Sequence, residues 1–154
     1  ASAKAGRSPH ILNLAPPINL DPKWFRHHTA YTMAKYGMSM CVLGMAAEFR
    51  GRGIAVNGLW PRTIIATAAV EFAISAALMK RSRKPEIMAD AACAIFNKPA
   101  KSFTGNFLID DTFLAGEGVT DFDRYRVDPA QTLEQDFFVP ADSPAPASLG
   151  PARP

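Results

Sequence analysis

The chain has 154 residues, of which 48% are hydrophobic and 20% charged, a composition that suits one globular domain with a core of its own. Its formal net charge is only +3, and its basic residues form no stripe with interleaved aromatic side chains, so no nucleic-acid partner is expected. No window approaches the run of about 18 apolar residues that a membrane helix needs, and no signal-peptide pattern opens the chain. We therefore expect a cytoplasmic protein with no membrane partner.

A strand, a helix and a second strand are predicted in the first part of the chain. The apolar run from His10 to Leu14 stops before two prolines, which is typical of a buried strand. After a loop, a helix is predicted from about Thr29 to Arg50, closed by the glycines of Gly-Arg-Gly at 51–53. The next strand, Ile54 to Trp60, stops at Pro61. This order predicts a right-handed crossover onto a parallel sheet.

Apolar residues at steps of three and four positions predict which face of the first helix is buried. This face comprises Ala34, Met38, Cys41, Met45 and Phe49. Both cysteines of the chain, Cys41 and Cys93, stand in such apolar helical patterns, so we expect buried free thiols in a reducing compartment and not metal ligands or a disulfide.

Two further helices and a last strand are predicted in the rest of the chain. Residues 66–80 are alanine-rich and helical, and another helix begins at about Pro85 and ends at Lys98-Pro99. The last strand runs from Thr104 to Asp110. Asp110 and Asp111 are expected in a turn at its end and not as paired catalytic carboxylates.

The C-terminal residues are expected to fall outside the folded domain. Residues 140–154 consist mainly of alanine, proline and serine and have little to bury, so they predict a disordered tail. The domain is accordingly predicted to occupy residues 1–139.

No metal site is predicted. His10, His27 and His28 have no cysteine or carboxylate partners at the spacing of metal ligands.

Tyr31 and Lys35 form the clearest chemical pattern of the sequence. Because they are four residues apart on the predicted helix, they lie one above the other on one face. A phenol has a reference pKa of about 10, and a nearby cation favours its ionised form, so Lys35 would lower the pKa of Tyr31 and make it a usable general acid or base. An ammonium with several donors can also hold a ribose hydroxyl. Taken alone, such a pair is more often two solvated neighbours on a helix surface.

The surroundings of this pair resemble the short-chain dehydrogenase/reductase family from about His10 to Asp110. The similar segments are the strand Ile-Leu-Asn-Leu at 11–14, the helix start Ala-Tyr-Thr-Met-Ala-Lys-Tyr-Gly at 30–37, and the strand with its exit Ile-Ala-Val-Asn-Gly-Leu-Trp-Pro at 54–61. The resemblance implies an α/β fold, the C-terminal half of a Rossmann-type, doubly wound parallel sheet.

The N-terminal half of such a sheet, which binds the dinucleotide phosphates, is expected to lie outside the chain. Gly51-x-Gly53 and Gly116-x-Gly118 lack the third glycine of a phosphate loop, and neither opens a helix after a strand.

The resemblance also implies an oxidoreductase that uses NAD or NADP. Tyr31 would exchange a proton with a carbonyl or hydroxyl of the substrate while hydride passes to or from the nicotinamide, and Lys35 would bind the nicotinamide ribose. The family's exit loop Pro-Gly-x-Ile-x-Thr contacts the nicotinamide. It is matched by Pro61, Ile65 and Thr67, with one extra residue and Arg62 in place of glycine.

The sequence departs from the family pattern at the position of the residue that orients the substrate oxygen. The family's catalytic serine is expected just after the first strand, but Ala15 stands there, followed by two prolines. Losing one such hydrogen-bond donor can cost of order 100-fold in rate. Asn19 could lend its amide instead, with a structural turn as the alternative. Trp24 and the neighbouring Phe25 are expected close to the substrate or packed beneath it.

Two hypotheses for the function follow. The first is an oxidoreductase acting on a small or lipid-like alcohol or carbonyl compound. The second is a catalytically weakened or truncated binding or structural member of the same fold. Half of a Rossmann-type sheet leaves apolar surface and a sheet edge uncovered, which calls for a missing N-terminal segment or another chain. In either case a homo-oligomer is expected.

Overall fold

The computed structural model describes residues 8–68, 70, 75–140 and 142–152, and the chain divides into two compact units. Unit 1 is formed by Ala1–Trp60 and Ala92–Leu108, and unit 2 by Pro61–Ala91 and Ile109–Pro154. The single domain expected at residues 1–139 stays a prediction.

A parallel sheet of the predicted kind is present. Its strands are β1 (His10–Asn13), β2 (Ala55–Trp60) and β3 (Phe107–Ile109), in the spatial order β1-β2-β3. β1 and β2 pair in parallel, with His10 opposite Ala55 and Asn13 opposite Gly58. Every residue of β2 is buried, as expected for the central strand of a covered sheet. The strand, helix and strand order of a crossover is thus confirmed.

The predicted long helix is α1 (Thr29–Phe49), within one residue of its expected end. A short 3₁₀ helix, Arg50–Arg52, extends it and closes at Gly53, whose φ of 66° lies in the left-handed region that glycine tolerates. The glycine pair at 51–53 therefore ends the helix as the sequence predicts.

The buried face of α1 is not the one predicted. Of the predicted residues, Ala34, Met38 and Cys41 are exposed, and Met45 and Phe49 are only partly buried. The residues that are buried are Thr32, Tyr36, Ser39, Val42 and Ala46. Apolar side chains occur on nearly every face of this helix, so their spacing alone could not select one face. Three of the five buried side chains carry hydroxyl groups that are bonded to the preceding loop.

Val42 and Ala46 of α1 pack on Val56 of β2 and form the core of unit 1. This contact fixes α1 against the central strand. The expectation of buried thiols is wrong, because both free cysteines, Cys41 and Cys93, are exposed.

The helices that follow β2 are α2 (Ala76–Lys80), α3 (Glu86–Phe96) and α4 (Asp110–Gly116). α3 begins one residue after Pro85, close to its predicted start. Within the predicted helix at 66–80, residues 69 and 71–74 lie outside the described residues, whereas 68 and 70 are helical and 66 and 67 are not. The Ser75 hydroxyl caps α2 by accepting a bond from the Leu78 amide at 3.1 Å.

Asp110 and Asp111 begin α4 and are fully buried, so the turn expected at the end of the last strand is wrong. The predicted strand was also too long, since only Phe107–Ile109 pairs in the sheet.

Residues 142–152, which lie within the tail predicted at 140–154, are hydrogen-bonded to other residues of unit 2. The Leu133 amide donates to the Leu149 carbonyl at 2.7 Å, and the Ala152 amide donates to the Pro129 carbonyl at 2.9 Å. Across the described ranges, no helix has the length and apolar character needed to cross a membrane.

Candidate active site

Tyr31 and Lys35 lie together in the first turns of α1. The Lys35 Nζ atom is 5.9 Å from the centre of the Tyr31 ring and 5.2 Å from the centre of the Trp60 ring. Tyr31 is 47% exposed, whereas Lys35 is half-buried and Trp60 is buried. The structure therefore brings a reachable phenol and a shielded ammonium to one place, as their spacing predicts.

The loop between β1 and α1 is bound to the buried face of α1 by hydroxyl groups. Ser39 Oγ donates to the Pro16 carbonyl at 2.7 Å, and Thr32 Oγ1 donates to the Trp24 carbonyl. Such bonds satisfy carbonyls that would otherwise be buried without partners. They hold the loop against the helix that carries the Tyr–Lys pair.

Tyr36, the other tyrosine of α1, is hydrogen-bonded to the same loop. Its hydroxyl donates to the Asn19 carbonyl at 2.6 Å and accepts from the Asn19 amide at 3.3 Å. Burial raises the pKa of the Tyr36 phenol, although the bond to Asn19 opposes the shift. Tyr36 therefore stays protonated and structural, which leaves Tyr31 as the phenol of α1 that a substrate can reach.

The candidate residues of the β1–α1 loop are placed as follows. Ala15 is fully buried, and its backbone amide donates to the Asn13 carbonyl at 2.9 Å. The Asn19 side-chain oxygen accepts from the Asp21 amide at 2.9 Å and so closes an Asx turn. Trp24 is half-buried, and the Lys23 ammonium lies 4.8 Å from the centre of its ring.

Pro61, Ile65 and Thr67, the predicted nicotinamide contacts, belong to unit 2. Pro61 is buried, and Ile65 is half-buried and forms a β-bridge with Arg83. Thr67 is exposed, and its carbonyl accepts from the Val70 amide at 3.0 Å. The exit loop from Pro61 to Thr67 thus has a defined backbone within unit 2, although it is one residue longer than the family pattern.

Arg62, which replaces the family's glycine, is a buried structural residue. Its Nε donates to Asp111 Oδ1 at 2.7 Å, and its Nη2 donates to Thr112 Oγ1 at 2.7 Å. Arg83 Nη1 donates to the other Asp111 oxygen at 2.9 Å. One carboxylate therefore pairs with two buried guanidinium groups, and this network anchors the start of the exit loop.

Asp110 sits beside this network. Its Oδ1 accepts from the backbone amides of Arg62 at 2.9 Å and Asp111 at 2.7 Å. Burial, reinforced by the negative charge of Asp111, raises the pKa of Asp110 to about 7. The sequence carried no local signal for this cluster, because its arginines and aspartates are far apart along the chain.

The chain is similar to known dehydrogenases, although no family model matches it. It is 61% identical to hydroxysteroid dehydrogenase-like protein 2 of Danio rerio, over 86% of this chain and 32% of the relative. For the human protein of that name the identity is 54%, over 88% of this chain and 32% of the relative.

A solved short chain dehydrogenase from Mycobacterium thermoresistibile is 50% identical, with a TM-score of 0.80, over 94% of this chain and 51% of that one. The chain thus spans about a third of the length of these curated relatives and half of the solved chain. Together with the parallel sheet and the Tyr–Lys pair, these matches show that the chain is similar to short-chain dehydrogenases over nearly its whole length.

Proposed function

We propose that this chain carries the catalytic pair of an oxidoreductase that transfers hydride between NAD or NADP and an alcohol or carbonyl compound. The observation that carries the proposal is the position of Lys35 Nζ, 5.9 Å from the Tyr31 ring, in a chain 50% identical to a short chain dehydrogenase. Tyr31 exchanges a proton with the substrate oxygen, and the positive charge of Lys35 favours the phenolate that accepts this proton.

Lys35 fits the binding of a nicotinamide ribose. The ion pairs formed among the described residues do not include its ammonium, so its donors remain available to ligand hydroxyls. The nicotinamide supplies or accepts the hydride when the cofactor is bound. Pro61, Ile65 and Thr67 are proposed as further contacts of the nicotinamide on the basis of the family pattern.

A lipid-like substrate is the favoured class. Trp24 and Phe25 are half-buried in the loop bound to α1, and Leu20 of the same loop is 70% exposed. An apolar loop next to a reachable phenol suits an apolar substrate better than a charged one.

The test uses the protein expressed from its complete gene, with its intact mass measured first. Tyr31→Phe is expected to lower kcat by about 100-fold or more while NADH binding, followed by fluorescence, is kept. Lys35→Ala is expected to weaken both binding and turnover. The matched control is Lys23→Ala, which removes an exposed ammonium from another tryptophan ring. A Tyr31→Phe variant with wild-type kcat would exclude this chemistry.

The second candidate is a member of the fold that binds ligands but turns them over poorly. The observation that favours it is Ala15, a side chain without a hydroxyl at the position of the family's serine. NADH binding of ordinary strength, combined with turnover no faster than that of Tyr31→Phe, would select this candidate.

We also propose that the protein forms a homo-oligomer. α1 exposes several large apolar side chains, among them Met33, Met40 and Leu43. An exposed apolar stripe of this kind favours contact with another copy. Sedimentation of the wild type and of Met40→Glu checks this, since the variant is expected to dissociate.

A further inference from the structure

Trp60 is the last residue of β2, and its side chain is only 5% exposed. Its ring centre lies 5.2 Å from Lys35 Nζ, closer than the ring of Tyr31 at 5.9 Å. The ammonium is thus within cation–π range of two aromatic rings, one from its own helix and one from the central strand.

An aromatic ring holds an ammonium in a different way from a carboxylate. A carboxylate would occupy its N–H donors and neutralise its charge. A ring attracts the cation through its quadrupole and leaves donors available for ligand hydroxyls. The contact with Trp60 therefore restrains Lys35 but leaves its positive charge and its N–H donors available. The proposed reaction needs both.

The ring is itself held firmly. All six residues of β2 are buried, and Val56 of this strand packs on Val42 and Ala46 of α1. The distance between Trp60 and Lys35 is therefore set by the contact between the central strand and the helix. By contrast, Tyr31 is on the same helix as Lys35 and can restrain it only locally.

From this geometry we infer that Trp60 is a positioning residue, which holds the Lys35 ammonium by a cation–π contact in the place where it serves Tyr31 and the cofactor ribose. This inference rests on the function proposed above for Lys35. It adds a residue from β2 that acts through the lysine and not by touching the reacting atoms.

The direct test is the NMR spectrum of the protein expressed from its complete gene, without cofactor. The ε-methylene protons of Lys35, assigned by their loss in Lys35→Arg, are expected upfield of those of an exposed lysine because the Trp60 ring shields them. Trp60→Leu should abolish most of this shift. If these protons have ordinary shifts in the wild type, Trp60 does not hold the lysine and the inference is overturned.

The functional test compares Trp60→Leu and Trp60→Phe, which keeps a ring. Trp60→Leu is expected to weaken NADH binding about fivefold, the size of a cation–π contact of about 1 kcal/mol. It should also move the pH of half-maximal kcat upward, because a displaced ammonium favours the Tyr31 phenolate less. Trp60→Phe should retain most of both properties.

Phe49→Leu is the control, since Phe49 is the ring of another cation–π pair, 5.6 Å from Arg52, at the opposite end of α1. It is expected to leave the NADH affinity and the pH profile unchanged. If Lys35→Ala impairs binding and turnover but Trp60→Leu keeps the wild-type affinity and pH profile, the role of Trp60 is overturned and that of Lys35 stands. If Lys35→Ala is itself without effect, the proposed function of Lys35 fails.

Discussion

Ala15 is the residue at which the sequence departs from the catalytic pattern of the short-chain dehydrogenases that it resembles, and it is fully buried. Ala15→Ser restores a hydroxyl there and is expected to raise kcat, by up to about 100-fold if the missing donor limits the rate. Steady-state kinetics of the protein expressed from its complete gene measures this. Ala46→Ser, at another buried alanine of unit 1, should leave kcat unchanged. Equal kcat values for Ala15→Ser and the wild type would show that the missing hydroxyl does not limit turnover.

Asp110 makes the stability of the fold depend on pH. Its pKa is raised from 3.8 to about 7, first by burial and then by Asp111, so the folded state binds a proton that the unfolded state has lost. This contribution to stability is complete below pH 4 or so and disappears as the pH rises through about 7.

Asp110→Asn should remove this dependence. Between pH 5 and pH 8, the free energy of unfolding of the variant is expected to gain about 3 kcal/mol relative to the wild type. Urea unfolding at the two pH values measures the difference. The same substitution at Asp142, an exposed carboxylate, should show no such gain. Parallel pH profiles of Asp110→Asn and the wild type would contradict the raised pKa.

At the scale of elements, α1 and the preceding loop depend on buried hydroxyl bonds. Ser39→Ala removes the 2.7 Å bond to the Pro16 carbonyl and leaves that carbonyl without this donor. The free energy of unfolding is expected to fall by about 1–3 kcal/mol. Ser102→Ala is a matched control, because Ser102 makes the same kind of bond to Pro99 at 3.4 Å on the exposed surface. Chemical denaturation should find that variant unchanged, and an equal loss for both serines would refute the importance of burial.

The spacing of residue types along the chain explains why the element boundaries could be predicted. It also explains why the buried face of α1 was predicted wrongly. Prolines and glycines end β1, α1 and β2 through their own backbone chemistry, so those boundaries could be read within a residue or two. The buried face of α1 could not, because hydroxyl groups of Thr32, Tyr36 and Ser39 meet loop carbonyls that are distant along the chain.

At the scale of the whole molecule, two arginines bind the C-terminal segment. Arg62 Nη2 donates to Ser143 Oγ at 2.9 Å and to the Pro144 carbonyl at 2.9 Å. Arg126 Nη2 donates to the carbonyls of Ser148 at 2.8 Å and Gly150 at 2.6 Å. Residues 142–152 therefore accept hydrogen bonds from two buried guanidinium groups of unit 2, bonds that a disordered tail would not make.

A chain ended after Pro140 is expected to have a Tm lower by about 5 °C or more, because each lost bond to a charged donor contributes about 1.5–3 kcal/mol. Calorimetry of this chain, of the wild type and of a control chain ended after Ala152 measures the loss. An unchanged Tm in the shorter chain would instead support the tail predicted from the composition.

The sequence by itself determined the α/β class, the bounds of α1 and the pairing of Tyr31 with Lys35. These depend on interactions between residues at most a few positions apart. Only the tertiary structure decided that Trp60 lies over Lys35, that Asp111 joins Arg62 to Arg83, and that residues 142–152 are bound. Such contacts join residues tens of positions apart, and their partners are selected by packing and by the cost of burying an unpaired charge, which no local pattern encodes.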